Sequence, residues 1–173
     1  FSIPFDKEKV RAFILKYSVQ DLLVQVAEER GLDVDKLNQV RAQSLAEKNA
    51  QVILMPGARE VLAWANQKGI QQFVYTHKGD NALTILRDLG LDVYFTEILT
   101  SQSGFARKPN PEAASYLISK YHLKPERTFY IGDRTLDIDF AKNSGIQSIN
   151  FLGTPVDCNH QISCLADIPS LSL

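Results

Sequence analysis

Asp133 and Asp137 close the run Thr128-Phe129-Tyr130-Ile131-Gly132-Asp133-Arg134-Thr135-Leu136-Asp137. An apolar, β-prone stretch stops at Gly-Asp, and a second carboxylate follows one helical turn later. Ligands of open parallel sheets sit beyond the carboxyl ends of the strands. Asp133 would therefore project into a site, and Asp137 would face it from the first turn of the next helix. Two converging carboxylates suit a hard cation such as Mg²⁺, which takes oxygen ligands and keeps several waters. Helix capping by Asp133 is the plainer reading, and this segment alone leaves both open.

Two further segments carry polar groups at predicted strand ends. Thr76 follows Gln72-Phe73-Val74-Tyr75 and leads into His77-Lys78-Gly79 at a helix start. A hydroxyl with free backbone N–H groups at a helix N-terminus makes an anion cradle, although an ordinary N-cap threonine looks the same. His77 by itself is weak evidence. Lys108 lies in Phe105-Ala106-Arg107-Lys108-Pro109-Asn110-Pro111-Glu112. The two prolines fix the backbone just before a helix and so fix where Lys108 points. An ammonium held there can neutralise phosphate oxygens and carboxylates; the bland reading is a solvated basic pair on a Pro-rich turn.

The elements that must position these groups follow from periodicity. Asp6 can cap a helix striped by Val10, Phe13, Ile14 and Tyr17. Asp21 begins a second, with Leu22, Leu23, Val26 and Ala27, which Gly31 stops; Asp33 or Asp35 starts a third, carrying Leu37, Val40 and Leu45. These stripes fit helix-on-helix packing. From Pro56-Gly57 onward, helices alternate with short apolar runs: 58–68 helical, 72–75 extended, 81–89 helical, 98–100 extended. A helix opening at Pro111 with Asn110 as cap, a strand at 128–131, a helix at 136–144 and a strand at 148–151 complete the series. The runs are apolar rather than alternating, as in strands covered on both faces. This pattern predicts an α/β fold with a doubly wound parallel sheet. The tail after Gly153 reads as loop-rich and weakly patterned.

At 173 residues, the chain can hold one good core and a small accessory unit. A net charge of -1 gives no electrostatic reason to expect nucleic acid or an acidic membrane surface, and no apolar run reaches the length of a membrane span. Cys158 and Cys164 form no metal-ligand pattern and read as free thiols of a reducing, cytoplasmic setting. Oligomeric state is not legible in these features.

Thr76, then Lys108, then Gly132-Asp133 with Asp137, each after its own strand, is a specific ordered set. In it the chain resembles the haloacid dehalogenase-like hydrolases, in particular small phosphatases with a helical cap such as phosphoglycolate phosphatases. The resemblance covers residues 56–151. It implies a Rossmann-like core at 55–173 and a partial helical cap at 1–54. By the same resemblance, Thr76 and the His77 N–H would bind the transferring phosphoryl group, and Lys108 would neutralise charge on it and on the nucleophile. Asp133 would ligate Mg²⁺, with Asp137 holding a metal-bound water or Lys108. A small phosphorylated metabolite is the implied substrate, with no nucleic acid or membrane partner.

One part of the family pattern is absent. These hydrolases attack phosphate with an Asp at the end of the first strand, and a second Asp two residues on acts as general acid and base. Asp-x-Asp-Gly-Thr does not occur in the 173 residues. Asp33-Val34-Asp35 has the spacing, but it lies between helices and lacks the Gly-Thr. The family's sheet order puts the first strand between those leading to Thr76 and Asp133, so its removal leaves two inner edges unpaired. The expectation is a longer protein with roughly 30 further residues at its front, about a strand, a turn and a helix. Alternatives on the same fold are a catalytically silent binding or regulatory domain, a phosphomutase, and a 2-haloacid dehalogenase. The last is disfavoured because a carboxylate at Asp133 would repel a carboxylate substrate.

Overall fold

The computed structural model describes residues 6–16, 19–49, 52–79, 81–151 and 157–171. The chain divides into two compact units, Phe1–Val52 and Ile53–Leu173. The first is helical, with α1 (Lys7–Lys16), α2 (Val19–Arg30) and α3 (Val34–Asn49). Its helices start where short acidic side chains can satisfy orphan N–H groups. Asp6 Oδ1 accepts from the Glu8 N–H at 2.9 Å, and Asp33 Oδ1 from the Asp35 N–H at 2.8 Å. Gly31 ends α2 in a left-handed conformation (φ 62°), which a glycine adopts without a Cβ clash. Contrary to the sequence expectation, α2 begins at Val19 rather than Asp21; Asp21 instead lies in its first turn, where a carboxylate complements the helix dipole. Tyr17 and the side chains of Ile14 and Leu45, counted in the predicted stripes, lie outside the described residues.

The second unit alternates helix and strand: α4 (Ala58–Gln67), β1 (Phe73–Tyr75), α5 (Asn81–Asp88), β2 (Glu97–Leu99), α6 (Glu112–Tyr121), β3 (Phe129–Gly132), α7 (Thr135–Asn143), β4 (Gln147–Phe151) and β5 (His160–Ile162). Every strand pairing is parallel. Helices cover both faces, as the apolar runs require. On one face Tyr75, Leu99 and Tyr130 pack with Ala113, Leu117, Phe140 and Ala141 from α6 and α7. On the other, Phe129, Ile149 and Ile162 pack with Val61 and Trp64 of α4 and with Ile168 from a 3₁₀ turn at Leu165–Ser170. Adjacent residues of β3 thus serve opposite cores, as the strand repeat of two demands. The predicted parallel α/β architecture is what the chain adopts.

β5 and the 3₁₀ turn fall in the tail predicted as loop-rich. Only Ile162 of β5 is buried, so three residues carry too short a pattern to read as a strand. Pairing with β4 and burial against Ile149 create the strand.

The sheet is interrupted between β1 and β3. β1–β2 form one sheet and β3–β4–β5 another. Thr76 N–H bonds to Leu99 O, and Gln72 O accepts from Thr96 N–H, so the even-numbered residues of β1 face β2. The backbone groups of Phe73 and Tyr75 then face the interruption. Gln147 N–H bonds to Thr128 O, which by the same parity turns Phe129 and Ile131 of β3 toward it. A cavity of about 660 Å³ lies there, lined by Val61, Trp64, Phe73, Tyr75, Tyr130 and Ile131 among others. Ile131 remains 43% exposed in the middle of an otherwise covered strand. A tyrosine side chain, rather than a backbone ladder, spans the gap: Tyr130 OH donates to Tyr75 O at 3.0 Å.

Among the described residues, no helix is long and apolar enough to cross a membrane. Ile149, 1% exposed, ties β4 to β5 and the 3₁₀ turn. Ile149→Ala is expected to cost about 2–5 kcal/mol, read as a lower urea midpoint with unchanged slope.

Candidate active site

The carboxyl ends of β1 and β3 and the loop before α6 converge through one side chain. Lys108 Nζ lies 2.6 Å from Asp137 Oδ1 and 2.8 Å from Tyr130 OH. It also lies over the rings of Tyr130 and Tyr75, 5.2 and 5.5 Å from their centroids. Ammonium, carboxylate, phenol and two aromatic faces therefore share one pocket. At 11% and 6% side-chain exposure, the ion pair is largely removed from water, where such a pair is strongly felt. Asp137 is held from behind as well, because its Oδ2 accepts from the Arg134 N–H at 3.3 Å.

Gly132 makes this packing possible. A Cβ built there would collide with Asp137 Cβ and Cγ, so the position before Asp133 tolerates no side chain. Asp133 itself is exposed and has no hydrogen-bond partner among the described residues. Its free carboxylate contrasts with the fully engaged one of Asp137.

Lys108 is positioned by backbone contacts on both sides. Tyr75 OH donates to Ala106 O at 2.7 Å, and the Ala106 N–H donates to Glu112 Oε2 at 2.7 Å. The Lys108 N–H donates to His77 Nε2 at 2.8 Å, and Asn143 Nδ2 donates to Pro109 O at 2.9 Å. Asn110 Oδ1 then accepts from the Glu112 N–H at 3.0 Å at the start of α6. Thr76 Oγ1 accepts from the Lys78 N–H at 3.1 Å, and the Ser101 N–H closes on Lys78 O at 3.0 Å, which ties the Thr76–Gly79 turn to the end of β2.

Electrostatics separate the two aromatic-ring titrators. Burial, reinforced by the charge of Asp137, pushes the Tyr130 phenol well above its ordinary range, so it stays protonated and can donate to Tyr75 O. His77 is driven down to about 4 by burial first, then by Lys108 and Arg107. It is a neutral imidazole at ordinary pH.

Of the five sequence-predicted residues, the structure brings Lys108, Asp137 and His77 into contact, and Thr76 and Asp133 adjoin them along the chain. Sequence reasoning missed Tyr130, Tyr75 and the ring of His77. The signal was faint: a buried tyrosine needs a partner for its hydroxyl, and Tyr130 sits two residues before Gly132 on the same side of β3.

Open parallel α/β proteins take their ligands beyond the carboxyl ends of the strands, the end at which this chain carries Lys108, Asp137 and Thr76. A family profile described as "Haloacid dehalogenase-like hydrolase" matches residues 2–151, and the chain belongs to that family. It is 24% identical over 177 residues to a "Probable phosphoglycolate phosphatase" of Pseudomonas putida, which covers 97% of this chain and 68% of that one. It spans only 42–55% of the length of further curated relatives. The NMR structure of the core domain of a protein from Streptococcus pneumoniae TIGR4, provisionally assigned as a phosphoglycolate phosphatase, is 70% identical at a TM-score of 0.61 and covers 67% of this chain and 85% of that one. A HAD-superfamily hydrolase from Geobacter sulfurreducens shares the fold, at 20% identity and a TM-score of 0.71 over 97% of this chain and 79% of that one.

Two outcomes are expected. Lys108→Met leaves Asp137 a buried carboxylate without its cation and costs about 3–5 kcal/mol; Lys108→Met with Asp137→Leu loses less than the sum of the single variants in chemical denaturation. The folded pKa of His77 lies below the unfolded one, so the unfolded chain takes up its proton first as pH falls. Stability therefore declines from about pH 6.5 to about 4 and levels below, with a shallower decline in His77→Leu.

Proposed function

We propose that the protein is a Mg²⁺-dependent phosphomonoesterase for a small phosphorylated metabolite, of the phosphoglycolate or sugar phosphate type. Its nucleophilic Asp would be carried by an extended segment, outside these 173 residues, seated in the cavity between β1 and β3. The observation that supports this most is the Lys108–Asp137 pair, tied to the Thr76–His77 turn through the Lys108 N–H, beside two strand edges without backbone partners among the described residues.

The residues present fit the ion. Among the described residues no three His, Cys, Asp or Glu side chains cluster as a closed metal cage. Mg²⁺ does not need one, since it is held by one or two carboxylates with waters and substrate phosphate. Asp133 offers the open carboxylate. Asp137, engaged by Lys108 and the Arg134 N–H, stands behind it and orients the ammonium. When bound, Mg²⁺ would draw charge from the phosphoryl oxygens.

The chain's own groups divide the remaining work. Thr76 Oγ1 already accepts from Lys78, which leaves its proton free to donate to a phosphoryl oxygen. The His77 N–H, without a partner among the described residues, adds a second donor. Lys108 balances negative charge on phosphate and attacking carboxylate, and its ion pair with Asp137 keeps it from drifting to either. Attack of that carboxylate on phosphorus would form an aspartyl-phosphate as the P–O ester bond breaks and the alcohol leaves with a proton from the second Asp of the same segment; water then cleaves the acyl phosphate, releasing phosphate and regenerating Asp.

The full-length protein is expected to release phosphate from a generic aryl phosphate with Mg²⁺ and to lose this with a chelator. Asp133→Asn should abolish Mg²⁺-dependent turnover and leave the melting temperature near wild type. Inactivity of the full-length protein on a broad phosphate panel would favour a silent binding domain instead.

A further inference from the structure

The side chain of His77 has no part in the roles just given, yet it contacts the backbone of Lys108 directly. We infer that His77 is a positioning residue whose imidazole accepts the Lys108 N–H and thereby fixes the direction in which the Lys108 ammonium leaves the backbone. The inference rests on the proposed function for its catalytic consequence, but not for its structural content.

Three observations carry it. The Lys108 N–H donates to His77 Nε2 at 2.8 Å, in a stretch otherwise held at Ala106, Pro109 and Asn110. His77 supplies the hold at the residue whose ammonium meets Asp137 and Tyr130. Accepting at Nε2 requires the neutral tautomer with its proton on Nδ1, because an imidazolium has no free lone pair. The surroundings favour that state: burial first, then the charges of Lys108, Arg107 and Arg134, disfavour a positive ring, against the opposing charge of Asp137. The ring is also set edge-on against Tyr75, with centroids 5.6 Å apart and planes at 83°.

This arrangement excludes the commoner role of a histidine in a hydrolase. A general acid or base works best with a pKa near the operating pH and a free nitrogen facing the reacting group. His77 has its acceptor nitrogen committed to the backbone. Burial, and after it the cations that would serve an anionic ligand, keep the imidazole an acceptor, so those charges also help to hold the lysine loop in register.

Nitrogen NMR of the full-length protein with labelled histidine tests the structural claim without any turnover. The expected result is the Nδ1–H tautomer, neutral down to about pH 5 and charging near 4. An imidazole that carries its proton on Nε2, or that titrates near 6.5, overturns the inference. Amide exchange at Lys108 should accelerate in His77→Leu; an unchanged rate also overturns it. For the catalytic consequence, His77→Leu should lower kcat by about 10²-fold with little change in KM, since a displacement of about 1 Å carries such a cost. His77→Asn, whose Oδ1 can accept the same N–H, should recover at least part of that loss. A wild-type kcat in His77→Leu would refute the positioning role, whereas a wild-type enzyme with no phosphatase activity would refute only the proposed function and leave the NMR result standing.

Discussion

The ammonium of Lys108 needs a counter-charge, and almost everything at the strand ends is arranged around that need. A cation at 11% exposure, without a carboxylate beside it, would carry a desolvation cost of several kcal/mol. Asp137 answers it directly, and the position of Asp137 depends in turn on the bare backbone of Gly132 and on the Arg134 N–H. Tyr130 contributes from β3 and Tyr75 from β1, each with a π face toward the ammonium and a hydroxyl bonded to backbone or to the lysine. The ion pair therefore couples β1, the loop before α6, β3 and α7. Residues 31 and 29 positions apart are joined by it and by the His77 contact.

The second constraint is what the sheet lacks. Strand edges inside a doubly wound sheet carry N–H and C=O groups that must be paired. Between β1 and β3 these groups border an apolar cavity, and the Tyr130 phenol bridges it. Two neighbouring strands sit roughly 4.8 Å apart, so an inserted strand would supply backbone partners to both edges at once. It would also cover Ile131. The site and the cavity are then two parts of one problem, because the end of such a strand would emerge beside Thr76 and Asp133.

Much of this was legible in the residues themselves. Strong apolar periodicity marked α4 through α7, and Pro-Gly at residues 56–57 marked where the helical run gives way to alternation. Gly132-Asp133 and Asp137 were readable because their chemistry depends on local spacing. Burial of β5 was not, since three residues hold no period and gain their structure from β4. The His77–Lys108 bond was equally hidden: it joins a side chain to a backbone group 31 residues away, and nothing in residue type distinguishes a ring that accepts from one that donates. Sequence reasoning saw the charges and missed what aims them.

Gly132 shows why the aiming matters. A glycine at the end of a strand is commonly taken as a turn former, yet no positive φ is recorded for Gly132. What it provides is absence of volume. Asp137 fills the space where a Cβ would sit, so the carboxylate can approach β3 closely enough to meet the ammonium arriving from the loop before α6. With any larger residue, Asp137 would be displaced outward, and Lys108 would have to follow it or lose its partner. The spacing of Gly132, Asp133 and Asp137 thus encodes two different carboxylates. One is exposed at the strand end, and the other is engaged four residues later by the lysine.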